Sequence, residues 1–125
     1  MKRLALLFGA LVALGGCSPR YEAVDFVLRS QPPVPVRVDR DQIEIPVGLA
    51  VAVHAELVSG SNIEYTEEDR LELRSKDTGV LLAEDTSGAH NFVLIGVSEG
   101  ETCVAVIVQL EEEDCIPVRV TAPAE

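Results

Sequence analysis

From residue 36 onward, apolar and polar positions alternate in short runs, as they do in half-buried β-strands. The run over residues 49–58 is the clearest, with one predicted face formed by Val51, Val53, Ala55 and Leu57. Six further runs, separated by glycine-containing or charged turns, cover residues 42–47, 71–74, 80–83, 92–97, 102–108 and 116–121. Strands at this regular spacing predict an all-β fold, a β-sandwich of about seven strands.

The first residues follow a different pattern. Lys2 and Arg3 precede an uninterrupted apolar run over residues 4–14. As a helix this run would be roughly 16 Å long at about 1.5 Å per residue, around half of a bilayer core. It is too short for a stable membrane span and matches the apolar region of a secretory signal peptide. No later stretch reaches the roughly 18 apolar residues that a span requires.

The apolar run ends on Leu14-Gly15-Gly16-Cys17, which resembles the lipobox of bacterial lipoproteins. Small residues before the cysteine let a peptidase hold the segment in extended form without side-chain clashes. The resemblance implies that residues 1–16 are removed, that the Cys17 thiol receives a diacylglyceryl group, and that its new amine is acylated, for example with palmitate. The alternative is an ordinary signal peptide followed by an incidental cysteine, although the usual Ala-x-Ala site is poorly matched.

The same resemblance predicts a location in the cell envelope. Two or three acyl chains would hold the protein on its membrane, whereas one chain anchors only marginally. In Gram-negative lipoproteins an Asp after the cysteine tends to retain the protein at the inner membrane. Ser18 stands at that position, so we expect the outer membrane if the host is Gram-negative.

Residues 17–35 are predicted to form a lipidated cysteine and a tether. Residues 18–31 contain mixed charges and only a short apolar patch, and Pro32-Pro33-Val34-Pro35 follows. Three prolines in four residues favour a stiff polyproline II spacer. Alternatively, an edge strand begins at Val36, because prolines are tolerated at such edges.

Three segments resemble the bacterial immunoglobulin-like domains of the Big type. They are residues 45–48 (IPVG) with the strand that follows, residues 75–80 (SKDTGV), and residues 96–102 (GVSEGET). The resemblance implies an immunoglobulin-like sandwich over residues 36–121, with a tail at residues 122–125. Modules of this family serve in spacing, adhesion or contact with sugars and proteins, and they offer no catalytic residues to carry over.

Glycines punctuate the predicted strands. Gly48, Gly96 and Gly100 lie beside apolar runs. Because glycine lacks a Cβ atom, it adopts the positive φ angles of tight turns at little cost. We therefore expect positive φ at these three positions.

The charge balance excludes anionic partners such as nucleic acids. The chain carries a net charge of −11, and removal of Lys2 and Arg3 leaves 8 basic against 21 acidic residues, or −13. Such a chain repels nucleic acid phosphates and anionic lipid headgroups. Aromatic residues make up 4% of the chain and Trp is absent, which argues against a stacking platform for sugars or bases.

Two cysteines remain once Cys17 is lipidated, and they raise the question of a disulfide. Cys103 and Cys115 leave an even number of cysteines in a chain that is predicted to be exported, and this favours a bond between them. If the intervening bend centres on Glu112, however, Cys103 lies opposite residue 121 and the thiols are too far apart. A bond requires the bend near Gln109 or an irregular last strand, and two unbonded thiols in the core are the alternative.

No residue pattern indicates catalysis, a cofactor or a metal centre. His54 is predicted on the polar face of a strand and His90 in a loop, without a shared ligand spacing. The acidic runs at residues 67–69, 84–85 and 111–114 lack the spacing of a calcium loop and are typical of solvated loops. We expect a lipid-anchored envelope protein whose immunoglobulin-like module binds or supports without catalysing a reaction. The alternative is an accessory subunit of an envelope secretion or pilus assembly that docks by a sheet edge.

Overall fold

A computed structural model describes residues 18–123 of the chain. The predicted signal peptide and residues 14–17 of the lipobox lie outside the described residues, as do the last two residues of the predicted tail. The described part contains no helix that could cross a membrane. It consists of nine strands: β1 (Tyr21–Leu28), β2 (Arg37–Val38), β3 (Ile43–Pro46), β4 (Ala50–Ser59), β5 (Leu71–Ser75), β6 (Leu81–Asp85), β7 (Asn91–Gly96), β8 (Gly100–Val108) and β9 (Glu111–Thr121).

The strands form two packed sheets. One sheet has the order β1-β4-β7-β6 and the other the order β2-β3-β9-β8-β5. Neighbours are antiparallel except for β3 and β9, which run parallel. Alternate residues of both sheets enter one apolar core, whose largest fully buried side chains include Phe92, Ile43, Ile45, Leu81 and Leu94. The predicted all-β, immunoglobulin-like sandwich is confirmed as two sheets sharing one core.

The tether predicted over residues 17–35 is wrong for residues 21–28. These residues form β1, which pairs with β4 from Tyr21 opposite Ser59 to Leu28 opposite Val53, with a bulge near Glu22. Val24 is completely buried. The strand is hard to recognise because the bulge breaks its alternation, so that the adjacent residues Ala23 and Val24 are both buried. Burial against the second sheet nevertheless stabilises it. With the two-residue β2, it raises the strand count to nine.

The prolines lie inside the domain rather than in front of it. Residues 29–36 connect β1, in one sheet, to β2, in the other. Proline cannot donate a hydrogen bond to a sheet, so this run suits a connection between sheets. It therefore does not separate the folded unit from residue 17, because β1 precedes it.

Two of the three glycine predictions agree with the backbone. Gly48 has φ of 86° and Gly100 has φ of 155°, whereas Gly96 is not among the positive-φ residues. The reason for glycine at position 96 is space, because a Cβ atom there would lie 2.5 Å from the carbonyl oxygen of Pro46. A side chain at this position would force the backbone apart.

The bend between β8 and β9 lies earlier than the acidic run predicts. Val108 pairs with Glu111, so the hairpin turns in two residues, Gln109 and Leu110. Residues 111–114 are strand residues rather than a loop, with one register shift opposite Val106 and Ile107. The sequence is misleading here because neither turn residue is a typical turn former.

The strand directions define two ends of the sandwich. The N-terminal end contains residues 18–20, the connection from β4 to β5 at residues 60–70, residues 86–90 and the turn at residues 109–110. The opposite end contains residues 46–49, 76–80, 97–99 and 121–123. Pairing of Tyr21 with Ser59 at one end, and of Pro46 with Thr121 at the other, fixes this assignment.

Candidate functional site at the N-terminal end

A disulfide joins Cys103 and Cys115. Cys103 lies opposite Pro117 and Cys115 opposite Ala105, so the two cysteines are diagonal neighbours on the outer face of their sheet. Their Cα atoms are 5.4 Å apart, within the range of disulfides. Of the alternatives that the sequence leaves open, the structure has the bonded pair. The hairpin turns at Gln109 and Leu110, and a one-residue register shift between Val106 and Ile107 brings both cysteines to the same face of the sheet.

The two histidines line one shallow groove, although their sequence positions are unrelated. His54 Nδ1 lies 2.8 Å from Asn91 Oδ1, and His90 Nε2 lies 2.7 Å from the carbonyl oxygen of Asp69. The groove has a volume of about 200 Å³ and also includes Glu56. No group of three or more metal-ligating side chains occurs among residues 18–123. Each imidazole ring therefore has a hydrogen-bond partner within the domain.

Carboxylates are concentrated at the N-terminal end. The acidic segments at residues 67–69 and 111–114 both lie there, and six of their seven side chains are exposed. Asp69 differs from the others because its carboxylate accepts hydrogen bonds from the Thr66 amide at 2.7 Å and from Gln109 Nε2 at 2.8 Å. Asp69 therefore ties the β4–β5 connection to the β8–β9 turn.

Two tyrosines lie close to the acidic residues at the start of β9. The Tyr21 hydroxyl donates a hydrogen bond to Asp114 Oδ2 at 3.1 Å, which joins β1 of one sheet to β9 of the other. Partial burial, followed by the charge of Asp114 and this hydrogen bond, raises the pKa of Tyr21 well above its usual value. Partial burial and the charge of Glu113 also raise the pKa of Tyr65.

Two large apolar side chains are exposed at this end. Leu110 is 71% exposed and Ile63 is 43% exposed. Leu110 also has a positive φ of 72°, a conformation that costs a residue with a Cβ atom roughly 1–2 kcal/mol. The sequence places Leu110 beside an acidic run and gives no sign of either property.

The start of the described chain is fastened to the same end. The Gly60 amide donates to the carbonyl oxygen of Arg20 at 2.8 Å, and Arg20 Nη2 donates to the carbonyl oxygen of Gly60 at 2.6 Å. Ser18 and Pro19 line a groove of about 410 Å³ together with Tyr65 and Gln109. Residue 18 is therefore held against the body of the domain, close to the β8–β9 turn.

The interior offers no polar group for chemistry. The buried residues of the described chain include no polar or charged residue. None of the buried side-chain nitrogen or oxygen atoms in residues 18–123 lacks a hydrogen-bond partner. Among residues 18–123, the polar side chains therefore lie at or near the surface.

No family model matches the sequence, and no curated protein matches it significantly. The fold is similar to solved structures of the S-layer protein SbsC. Domains 4 and 5 of that protein give a TM-score of 0.54 at 19% identity, over 78% of this chain and 54% of theirs. A structure of domains 1–6 gives 0.55 at 19% identity, over 81% of this chain and 14% of its own. The chain spans about half or less of these structures, and at this identity the likeness concerns the fold alone.

Proposed function

We propose that this chain is a lipid-anchored protein of the cell envelope whose sandwich is a non-catalytic structural or binding module. The observation that carries the proposal is the Cys103–Cys115 disulfide, because structural disulfides persist in oxidising compartments outside the cytosol. An exported location agrees with the signal peptide and lipobox that the first 17 residues resemble.

The apolar interior supports the non-catalytic part of the proposal. Catalytic groups are commonly polar side chains whose pKa values are shifted by burial or by charged neighbours in a cleft. No polar or charged residue is buried in the described part of the chain. Tyr21, whose pKa is strongly raised, donates a hydrogen bond to Asp114 between two strands. Each of these features acts in packing or in joining strands.

The solved structures with a similar fold support a surface role. They belong to a protein described as an S-layer protein, and one structure contains two of its domains and another contains six. A sandwich whose connecting segments lie at two opposite ends is suited to act as a building unit. We propose a structural use for this sandwich, with its N-terminal end held at the membrane.

The anchor is tested on the full chain expressed in a bacterial host. We expect the wild-type protein in the membrane fraction, with an intact mass that begins at Cys17 and includes acyl groups. Cys17→Ala removes the acceptor thiol and should leave the chain unprocessed or release it from the membrane. Ser18→Ala is the matched control and should be processed normally. Identical mass and fractionation of the wild-type and Cys17→Ala proteins would contradict the proposal.

A further inference from the structure

We propose that the N-terminal end of the sandwich also contacts the bilayer directly, with Leu110 and Ile63 entering a zwitterionic lipid surface beside the anchor. This inference rests on the proposed lipidation of Cys17. It adds a second contact, made by the folded domain itself, and it fixes which end of the sandwich faces the membrane.

The first argument concerns Leu110 alone. This side chain is 71% exposed at the tip of the β8–β9 hairpin, and its φ of 72° belongs to the region that favours glycine or asparagine. In water, the exposed apolar side chain and the unfavourable backbone conformation each carry a free-energy cost. A lipid surface removes the first of these costs, because the apolar side chain leaves water.

The second argument concerns the distance from the anchor. Cys17 precedes Tyr21, the first residue of β1, by four positions, so the connecting chain extends at most about 14 Å. Ser61 Oγ contacts the carbonyl oxygens of both Ser18 and Ile63, each at 3.4 Å. Ser18 also lines one groove with Gln109, the neighbour of Leu110. Ser18 therefore lies near both segments that carry an exposed apolar side chain, and an acylated Cys17 would enter the membrane at the same end of the sandwich.

The surrounding charge selects the kind of lipid. The acidic segments at residues 67–69 and 111–114 lie at the same end, and they repel an anionic bilayer surface. Zwitterionic lipids carry no net charge and present an ammonium group that carboxylates attract. We therefore commit to a zwitterionic surface as the partner.

The absence of Trp from the chain allows a single-residue reporter. We would place Leu110→Trp in the full-length acylated protein, in phosphatidylcholine vesicles whose acyl chains carry bromine quenchers. Val97→Trp is the matched control, because Val97 is 40% exposed and lies at the opposite end. Contact predicts a blue-shifted emission and loss of most fluorescence for Leu110→Trp, with neither change for Val97→Trp. Ile63→Trp should behave like Leu110→Trp.

The outcomes separate this inference from the proposed function. Intact mass on the same samples reports acylation, and circular dichroism reports the fold of each variant. Acylated, folded Leu110→Trp and Ile63→Trp proteins without quenching would overturn the bilayer contact and leave the anchor standing. A chain without acyl groups would overturn both. Equal quenching of Val97→Trp would refute the orientation, and equal quenching in anionic vesicles would refute the choice of lipid.

Discussion

Gln109 and Leu110 both adopt positive φ angles, 50° and 72°, and close the β8–β9 hairpin in two residues. Turns of this kind match the right-handed twist of the flanking strands, and they favour Asn-Gly. The hairpin accepts Leu in spite of a conformational cost of roughly 1–2 kcal/mol. The twist of the flanking strands therefore outweighs the backbone preference of the two turn residues.

Leu110→Gly should stabilise the protein in water by about 1 kcal/mol, because glycine adopts positive φ without a Cβ clash. The gain is partial, since glycine also has more freedom in the unfolded chain. Leu110→Ala is the control, because it removes the exposed side chain but keeps the Cβ atom. Urea unfolding measures both variants. A gain for alanine as large as that for glycine would show that backbone strain is not the cause.

The β8–β9 hairpin is the element that the disulfide closes. Cys103 and Cys115 lie 12 positions apart in sequence on the outer face of the sheet, while Val104 and Ile116 face the core. The bond thus adds to the hairpin from the side opposite the core. In the chain-entropy description, it acts mainly by restricting the unfolded chain.

Loss of this disulfide should lower the free energy of unfolding by about 3 kcal/mol, the amount expected for a loop of this length. Thermal unfolding of the wild-type protein with and without a reductant measures the effect. The Cys103→Ala/Cys115→Ala double variant should melt near the reduced wild-type protein and should not respond to the reductant. A wild-type melting temperature that is insensitive to complete reduction would refute the assigned stabilisation.

A second link between elements is the hydrogen bond from Tyr21 in β1 to Asp114 in β9. The pKa of Tyr21 is raised in the folded protein, whereas the unfolded tyrosine titrates near its usual value of about 10. Above that value the unfolded chain releases this proton and the folded protein retains it. Stability from this group is therefore complete below about pH 10 and is lost as pH rises further.

Tyr21→Phe should reduce this loss of stability at alkaline pH. We expect the denaturant midpoint of the wild-type protein to fall more steeply between pH 9 and 11 than that of the variant. Tyr65→Phe is the comparison, because the pKa of Tyr65 is also raised but no hydrogen bond from its hydroxyl to Asp114 is present. Equal slopes for the wild-type and Tyr21→Phe proteins would contradict the assignment.

The whole molecule depends on β1, which covers one side of β4. Val24 is fully buried, and Phe26 packs against the same core. Two side chains of this kind contribute about 3–5 kcal/mol when they leave water. A domain of this size has a total stability of roughly 5–15 kcal/mol, so β1 is a large share of it.

A fragment of residues 36–125 should therefore fail to show the cooperative thermal unfolding that residues 18–125 show. Circular dichroism at increasing temperature compares the two. Val27→Ser in the longer chain is the control, because Val27 is exposed on the same strand and should change the melting temperature little. If the short fragment melted cooperatively at the same temperature, β1 would be dispensable and the predicted tether would regain support.

Local periodicity determined most of the fold. Seven predicted runs correspond to β3 through β9, with boundaries that differ mainly at the start of β9. Alternation is a property of each strand alone, because a half-buried strand needs apolar residues on one face only. The lipobox resemblance likewise belongs to a short local segment, and lipidation of Cys17 stays a prediction.

The sequence by itself thus determined the fold class and the core faces of the long strands. It also identified Cys103 and Cys115 as candidates for a disulfide, and it left the bond open. Only the tertiary structure decided that residues 21–28 are a strand, that the hairpin turns at Gln109, and that Ser18, Ile63 and Leu110 share one end. The physical reason is that each of these depends on partners distant in sequence. Burial of Val24 depends on the facing sheet, and the position of the turn depends on the register of two strands. Local composition encodes neither the facing sheet nor the register.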